Sequence, residues 1–115
     1  ANMKRIDLTG ADLEGADLSG ANLTDAKLRH ANMLRARLRG ADLSGAKISY
    51  TGLQGADFSG AKLINAQIEG ANLKQANFTG ADLTGATMSS VSMEEAIFCN
   101  AIMPDGKKHD CPATN

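Results

Sequence analysis

Residues 11–20 read Ala-Asp-Leu-Glu-Gly-Ala-Asp-Leu-Ser-Gly, two copies of a five-residue unit that decides the fold. From residue 1 to residue 105, the 115-residue chain consists of 21 consecutive pentapeptides without an insertion or deletion. Position one is Ala in 18 of them, position three is apolar in all 21, and position five is Gly in ten. Such self-similarity at a fixed period is the sequence signature of a repeat architecture.

A period of five suits neither a regular helix nor an uninterrupted strand. An apolar residue at every fifth position would be spread around a 3.6-residue helix. A strand requires strict alternation, which fails here once in each unit. The pattern therefore predicts a short extended segment whose Ala and large residue face inward, followed by a corner where two residues face outward. Gly at this corner suits a turn with unusual dihedral angles, and units of this kind stack as a solenoid.

Charged pairs at position two indicate how many units make one coil. At a separation of four pentapeptides there are five pairs of opposite charge and one like pair, against two and two at three pentapeptides and one and three at five. Side chains stacked on neighbouring strands favour opposite charges. The sequence therefore predicts coils of four pentapeptides, each with four corners. Phe58, Phe78 and Phe98, which are spaced by the length of one such coil, are then expected to stack inside the solenoid.

The units at residues 11–15 and 41–45 have the form Ala-Asp-Leu-x-Gly and resemble those of pentapeptide-repeat proteins. The resemblance covers residues 1–105 and implies an all-β fold, a right-handed quadrilateral β-helix. The repeats would make about five coils of twenty residues each. The handedness comes from the resemblance alone. At a strand spacing of about 4.8 Å the rod would be roughly 25 Å long.

The pattern breaks at residues 104–106, Pro-Asp-Gly, which is a turn signal. We therefore divide the chain into a repeat domain at residues 1–105 and a C-terminal capping tail at residues 106–115. The first unit begins in register at Ala1, which is consistent with removal of a targeting segment and equally with a shortened chain.

The two cysteines bear on how the C-terminal edge is covered. Cys99 is predicted to face outward in the last full coil, and Cys111 lies 12 positions later in the tail. A disulfide between them would fold the tail over the edge of the last coil. Two free thiols, or a metal site that includes His109 or Asp110, are the alternatives that the sequence leaves open.

No constellation in the sequence points to catalysis, so we expect no catalytic residue, no cofactor and no metal site. His30 and His109 lie far apart, and phosphate-loop, dinucleotide and zinc-protease motifs are absent. Every inward position is filled, which argues against an internal ligand cavity. The net charge of −1 does not indicate nucleic-acid binding. No apolar run approaches the roughly 18 residues of a membrane-spanning helix.

One part of the surface departs from this neutral average. Basic side chains concentrate in the second coil and beside it, and we call the following set the basic belt: Lys27, Arg29, Arg35, Arg37, Arg39 and Lys47. The belt is either solvated and partly neutralised, with Arg37 between Asp17 and Asp57, or a docking patch for an acidic protein partner. Tyr50 is expected to stack on His30 at one corner beside it.

These observations predict a non-enzymatic structural or protein-interaction module. The resemblance adds an alternative, a DNA-mimicking protein that interacts with gyrase, which the near-neutral charge and the short rod disfavour. We expect a monomer or a weak end-to-end dimer. The resemblance to cyanobacterial and thylakoid-lumen members suggests the thylakoid lumen or the periplasm, and the cysteine pair is compatible with an oxidising compartment. A cytoplasmic location is the alternative.

Overall fold

The protein was analysed as a computed structural model that describes residues 2–111. Ala1, the first residue of the predicted repeat domain, and residues 112–115 of the predicted tail lie outside the described residues. Within residues 2–111 there is no helix and no strand longer than one bridge residue. Each pentapeptide instead contributes one bridge residue at position two and a turn at positions four and five.

Parallel bridges fix the register between successive circuits of the backbone. Each joins position-two residues that are four pentapeptides apart, from Asn2 with Asn22 to Asp82 with Ile102. Four pentapeptides therefore complete one circuit, in agreement with the separation that the charged pairs favour. The amide of Leu23 donates to the Asp42 carbonyl at 2.8 Å, and the amide of Asp42 donates back to the Ala21 carbonyl at 3.0 Å.

The corners share one backbone conformation whatever residue occupies them. The φ of every position-five residue from residue 5 to residue 100 lies between 56° and 74°. At a typical corner the Ala26 amide donates to the Leu23 carbonyl at 3.0 Å. A positive φ in the third residue of such a turn is the mark of a type II turn. Gly45 adopts it without steric cost, but Arg35 and Tyr50 occupy the same left-handed conformation, which is strained for L-residues.

Position two supports each corner through its side chain. In the described repeats every Asp or Asn at this position accepts a hydrogen bond from the backbone amide of position four, at 3.0–3.2 Å. Where position four is Ser or Thr, its hydroxyl can donate to the same oxygen, as Thr79 does to Asn77 at 2.6 Å. These local bonds explain the preference for Asp and Asn at position two.

Positions one and three fill the interior between residues 21 and 86, where all of them are buried. The three phenylalanines stack as the sequence predicts, with ring centroids 4.9 Å apart between Phe58 and Phe78 and 5.1 Å apart between Phe78 and Phe98. Thr51 replaces the usual Ala at position one, and its buried hydroxyl donates to the Leu28 carbonyl at 2.6 Å. The core is thus apolar, with its inward hydroxyl satisfied.

The two ends of the described chain are less enclosed. At the N-terminal end, the large side chains of the first circuit are only partly buried, because only one side of that circuit is stacked on another: Met3, Leu8, Leu13 and Leu18. At the C-terminal end, the chain turns at residues 104–106 and Lys108 forms an antiparallel bridge with Ile102. The start of the tail therefore covers one part of the last circuit.

Candidate interaction surface

The structure places the basic belt on the outside of three successive sides of one circuit. Five of its members lie between residues 21 and 40, and their side chains are exposed. The sixth, Lys47, is joined to Lys27 by a parallel bridge. Two like charges therefore lie on neighbouring segments, an arrangement that is mildly destabilising.

Two belt arginines form long ion pairs with acidic residues of neighbouring circuits. Arg35 Nη2 lies 3.8 Å from Glu14 Oε2, and Arg39 Nε lies 3.6 Å from Asp57 Oδ2. Exposed pairs of this kind stabilise a protein by less than about 1 kcal/mol and weaken in salt. The belt therefore keeps most of its positive character toward solvent.

Arg37 stands between Asp17 and Asp57, as the sequence predicts, because parallel bridges join it to both. Within residues 2–111, however, it makes no ion pair shorter than 4.0 Å with either. The carboxylates instead accept hydrogen bonds from their own corners, Asp17 from the Ser19 amide at 3.1 Å and Asp57 from the Ser59 amide at 3.0 Å. Bonds to Ser19, more than the charge of Arg37, lower the pKa of Asp17.

A polar network beside the belt was not anticipated from the sequence. The Ser49 hydroxyl donates to Glu69 Oε1 at 2.8 Å, and the Thr87 hydroxyl donates to the other carboxylate oxygen. Beside this network, Arg29 Nη2 donates a hydrogen bond to Gln67 Oε1 at 3.4 Å. The pKa of Glu69 is lowered by these contacts. The Thr87 hydroxyl has the largest effect, the backbone and Ser49 follow, and the charge of Arg29 has the smallest effect. The period of four pentapeptides, applied to position four, would have paired Ser49 with Glu69.

The predicted aromatic stack is present at a corner beside Lys27 and Lys47. The rings of His30 and Tyr50 are nearly parallel, with centroids 5.5 Å apart. Tyr50 is 60% exposed and its ring lies against Gly70, where an added Cβ would come within 2.5 Å of Tyr50 Cε1. The aromatic surface is therefore adjacent to belt cations and open to solvent.

The structure joins Cys99 to Cys111 by a disulfide, with the two Cα atoms 4.2 Å apart. Three backbone hydrogen bonds pair residues 100–103 with residues 107–109 of the intervening segment, and in one of them the Asn100 amide donates to the His109 carbonyl at 2.8 Å. The His109 ring packs edge-on against Phe98, with centroids 6.2 Å apart. Of the arrangements that the sequence leaves open, the disulfide is the one built into this geometry.

Residues 2–111 present a continuous outer surface without a concave site. The described residues enclose no pocket, and no three His, Cys, Asp or Glu side chains among them are grouped for metal binding. No helix in this part of the chain is long and apolar enough to cross a membrane.

The five-residue repeat of this chain has a counterpart among known protein families. The family model described as pentapeptide repeats, eight copies, matches residues 1–40, 41–80 and 66–103. The chain belongs to the pentapeptide-repeat family. Proteins of this family form right-handed β-helices, which gives the solenoid its handedness. No curated protein sequence matches the chain significantly.

Solved structures of family members are similar to this pentapeptide-repeat chain over most of its length. HetL, a protein of the cyanobacterium Nostoc involved in the regulation of heterocyst differentiation, is 36% identical over 95% of this chain, with a TM-score of 0.91. A protein of the Arabidopsis thaliana thylakoid lumen is 36% identical over 82% of this chain, with a TM-score of 0.80. The chain spans 52% of the HetL chain and 66% of the Arabidopsis chain.

Proposed function

We propose that this pentapeptide-repeat chain is a non-enzymatic protein-interaction module that docks an acidic surface of a partner protein on its basic belt. The observation that carries the proposal is charge segregation. Residues 21–40 contain five basic side chains and one acidic one, although the whole chain has a net charge of −1. An exposed positive surface of this kind favours association with an acidic partner and makes it sensitive to salt.

The rod that presents this belt is proposed to consist of about five coils of four pentapeptides each. Its regular sides and the absence of a pocket in residues 2–111 support a binding role over catalysis. DNA mimicry calls for a strongly negative rod, whereas this chain has a net charge of −1 and carries the five exposed cations of the basic belt. We therefore do not propose a gyrase-related function.

For the compartment, we propose the thylakoid lumen or the periplasm over the cytoplasm. The Cys99–Cys111 disulfide supports this proposal, because structural disulfides persist in oxidising compartments. The similarity to a thylakoid-lumen protein of Arabidopsis also supports it. The redox state of the two cysteines in protein isolated from its source would test this assignment.

The belt is tested by neutralising two of its members. Arg35→Gln together with Arg39→Gln removes two exposed charges whose ion pairs are weak, so the melting temperature should change little. Capture of an acidic partner from a native extract should fall several-fold, and the remaining binding should be less sensitive to salt. Isothermal titration with the captured partner measures both effects.

The matched control is Lys62→Gln together with Lys74→Gln, which removes the same charge from exposed positions outside the belt. Capture should persist in this control. Equal loss in the two double variants would show that only net charge matters, and unchanged capture in both would show that the belt is solvated surface. Either result would contradict the proposed function.

A further inference from the structure

Within residues 2–111, the C-terminal circuit exposes a backbone edge that residues 106–111 cover only in part. We call residues 90–98 the terminal edge. One circuit earlier, the amides at equivalent positions are bonded, Leu73 to the Ser92 carbonyl at 2.7 Å and Gln75 to the Glu94 carbonyl at 2.9 Å. In the described chain the amides of Met93 and Glu95 donate to no carbonyl. The terminal edge therefore carries donors of the kind that pair successive circuits elsewhere.

The tail shows how this kind of edge accepts another strand. The Asn100 amide donates to the His109 carbonyl at 2.8 Å, the His109 amide donates to Ala101 at 2.7 Å, and the Met103 amide donates to Lys107 at 2.8 Å. The two segments run antiparallel, with a bridge between Ile102 and Lys108. One pairing site thus consists of a position-five amide, a position-one carbonyl and a position-three amide.

The same three groups recur twice along the terminal edge. One set is the Ser90 amide, the Val91 carbonyl and the Met93 amide, and the next is the Glu95 amide, the Ala96 carbonyl and the Phe98 amide. Within residues 2–111 none of these six groups has a backbone partner. The repeat therefore supplies two further pairing sites with the pattern that the tail already uses at residues 100–103.

The charge of the terminal edge indicates which strand would pair with it. Residues 81–100 contain three acidic side chains and no basic one, and two of the acids, Glu94 and Glu95, lie within the edge. The strand that occupies the tail's own site reads Lys-Lys-His at residues 107–109. Met93 and Ile97 are each 47% exposed, which offers apolar contact to the aliphatic stems of lysine or arginine.

We propose that the terminal edge binds a short, extended, basic segment of a partner protein by antiparallel strand addition. Backbone hydrogen bonds supply the pairing, and the acidic side chains select a basic segment over an acidic one. The proposal does not rest on the basic belt, because it concerns the opposite charge and a different part of the surface. The chain would then have two docking surfaces of opposite sign.

The test uses the disulfide-closed chain and a fluorescein-labelled peptide, Lys-Val-Lys-Val-Lys-Val-Lys, as the probe. We expect saturable binding by fluorescence anisotropy and slower hydrogen exchange at the Met93 and Glu95 amides. Glu94→Lys together with Glu95→Lys should weaken binding about tenfold, because two favourable charge contacts become repulsive. Glu14→Lys, an exposed position-four change at the opposite end of the described chain, should leave binding unchanged.

Two control peptides separate strand addition from general attraction. A peptide with Glu in place of each Lys should not bind, and the Lys peptide N-methylated at alternate residues should lose most of its affinity. Equal binding by either control, or unchanged exchange at Met93 and Glu95 when the probe is bound, would overturn the proposal. So would sedimentation that shows a dimer of this chain through the terminal edge, because the occupant would then be a second copy.

Discussion

The central region, residues 21–85, and the terminal edge share one sequence pattern but differ in what it produces. Leu73 is fully buried, whereas Met93, which lies one circuit later at the same place in the repeat, is 47% exposed. Phe78 is fully buried, and Phe98 above it is only partly buried. The pattern thus determines which way a side chain points, and the next circuit determines whether it is buried.

This difference is a property of quasi-one-dimensional proteins, in which each repeat contacts only its neighbours. Within residues 2–111, central circuits have a neighbour on both sides, but the terminal circuit has one on its outer side only where residues 107–109 fold back on it. The stability of the chain should therefore vary along its axis more than its uniform sequence suggests. Three experiments test this contrast, beginning with the largest expected effect.

The first compares two stacked phenylalanines. Phe78→Ala should destabilise the protein by about 3–5 kcal/mol, because it removes a fully buried ring from between two others. Phe98→Ala should cost about 1–2 kcal/mol, since solvent already reaches part of that ring. Denaturant unfolding followed by circular dichroism measures both. Equal losses would show that the terminal circuit is as enclosed as the centre.

The second removes the covalent link that holds the tail. Cys99→Ser together with Cys111→Ser should lower the stability of the terminal circuit by about 2–3 kcal/mol, as expected for a short loop closed by a disulfide. Because the effect is confined to the end of the rod, hydrogen exchange should accelerate at Asn100 and Met103 and stay unchanged at Leu53. Two reactive thiols in the denatured, unreduced wild-type protein would instead show that the disulfide is absent.

Much of the fold could be predicted from the sequence, because the repeat determines it locally. The separation of four pentapeptides that the charged pairs favour agrees with the bridges, and the stacks of Phe58 on Phe78 and of His30 on Tyr50 are confirmed. The corners were predicted from Gly, but residues such as Tyr50 adopt the same positive φ. Stacking between circuits imposes the left-handed conformation on these corner residues, whatever backbone conformation each residue type prefers.

The surface was less predictable, because side chains there choose between competing partners. Asp17 was expected to pair with Arg37, but the Ser19 amide lies close by in the chain and needs no long side chain to be ordered. Arg39, which stands at position four of its pentapeptide, pairs with Asp57 instead. The spacing of residues in the sequence does not show whether a short local hydrogen bond or a flexible ion pair is the more stable interaction. The sequence therefore indicates the position of the belt but not the contacts of its side chains.

The last and smallest effect uses these corner hydrogen bonds. Hydrogen bonds from Thr9, Ser19 and Ser44 hold the pKa values of three of the position-two aspartates below their ordinary value: Asp7, Asp17 and Asp42. A carboxyl group whose pKa is lowered by folding stabilises the protein above its unfolded pKa and loses this contribution as the pH falls through the folded value. The melting temperature should therefore fall on acidification below about pH 4.

Replacing all three aspartates with Asn separates titration from the turn itself. Asn77 already accepts the same corner bond from the Thr79 amide at 3.0 Å, so the variant should keep its corners and melt near the wild-type temperature at pH 7. Its melting temperature should then fall less steeply than that of the wild type in acid.

The terminal edge carries Ser92 and Ile97 at position two, and neither side chain titrates in the acid range. Acid should therefore accelerate hydrogen exchange at Ser44 relative to the Asn variant, with no such difference at Glu95. Parallel acid profiles for the two proteins would mean that the corner bonds of Asp and Asn are equivalent at every pH, and that the loss of stability in acid arises elsewhere.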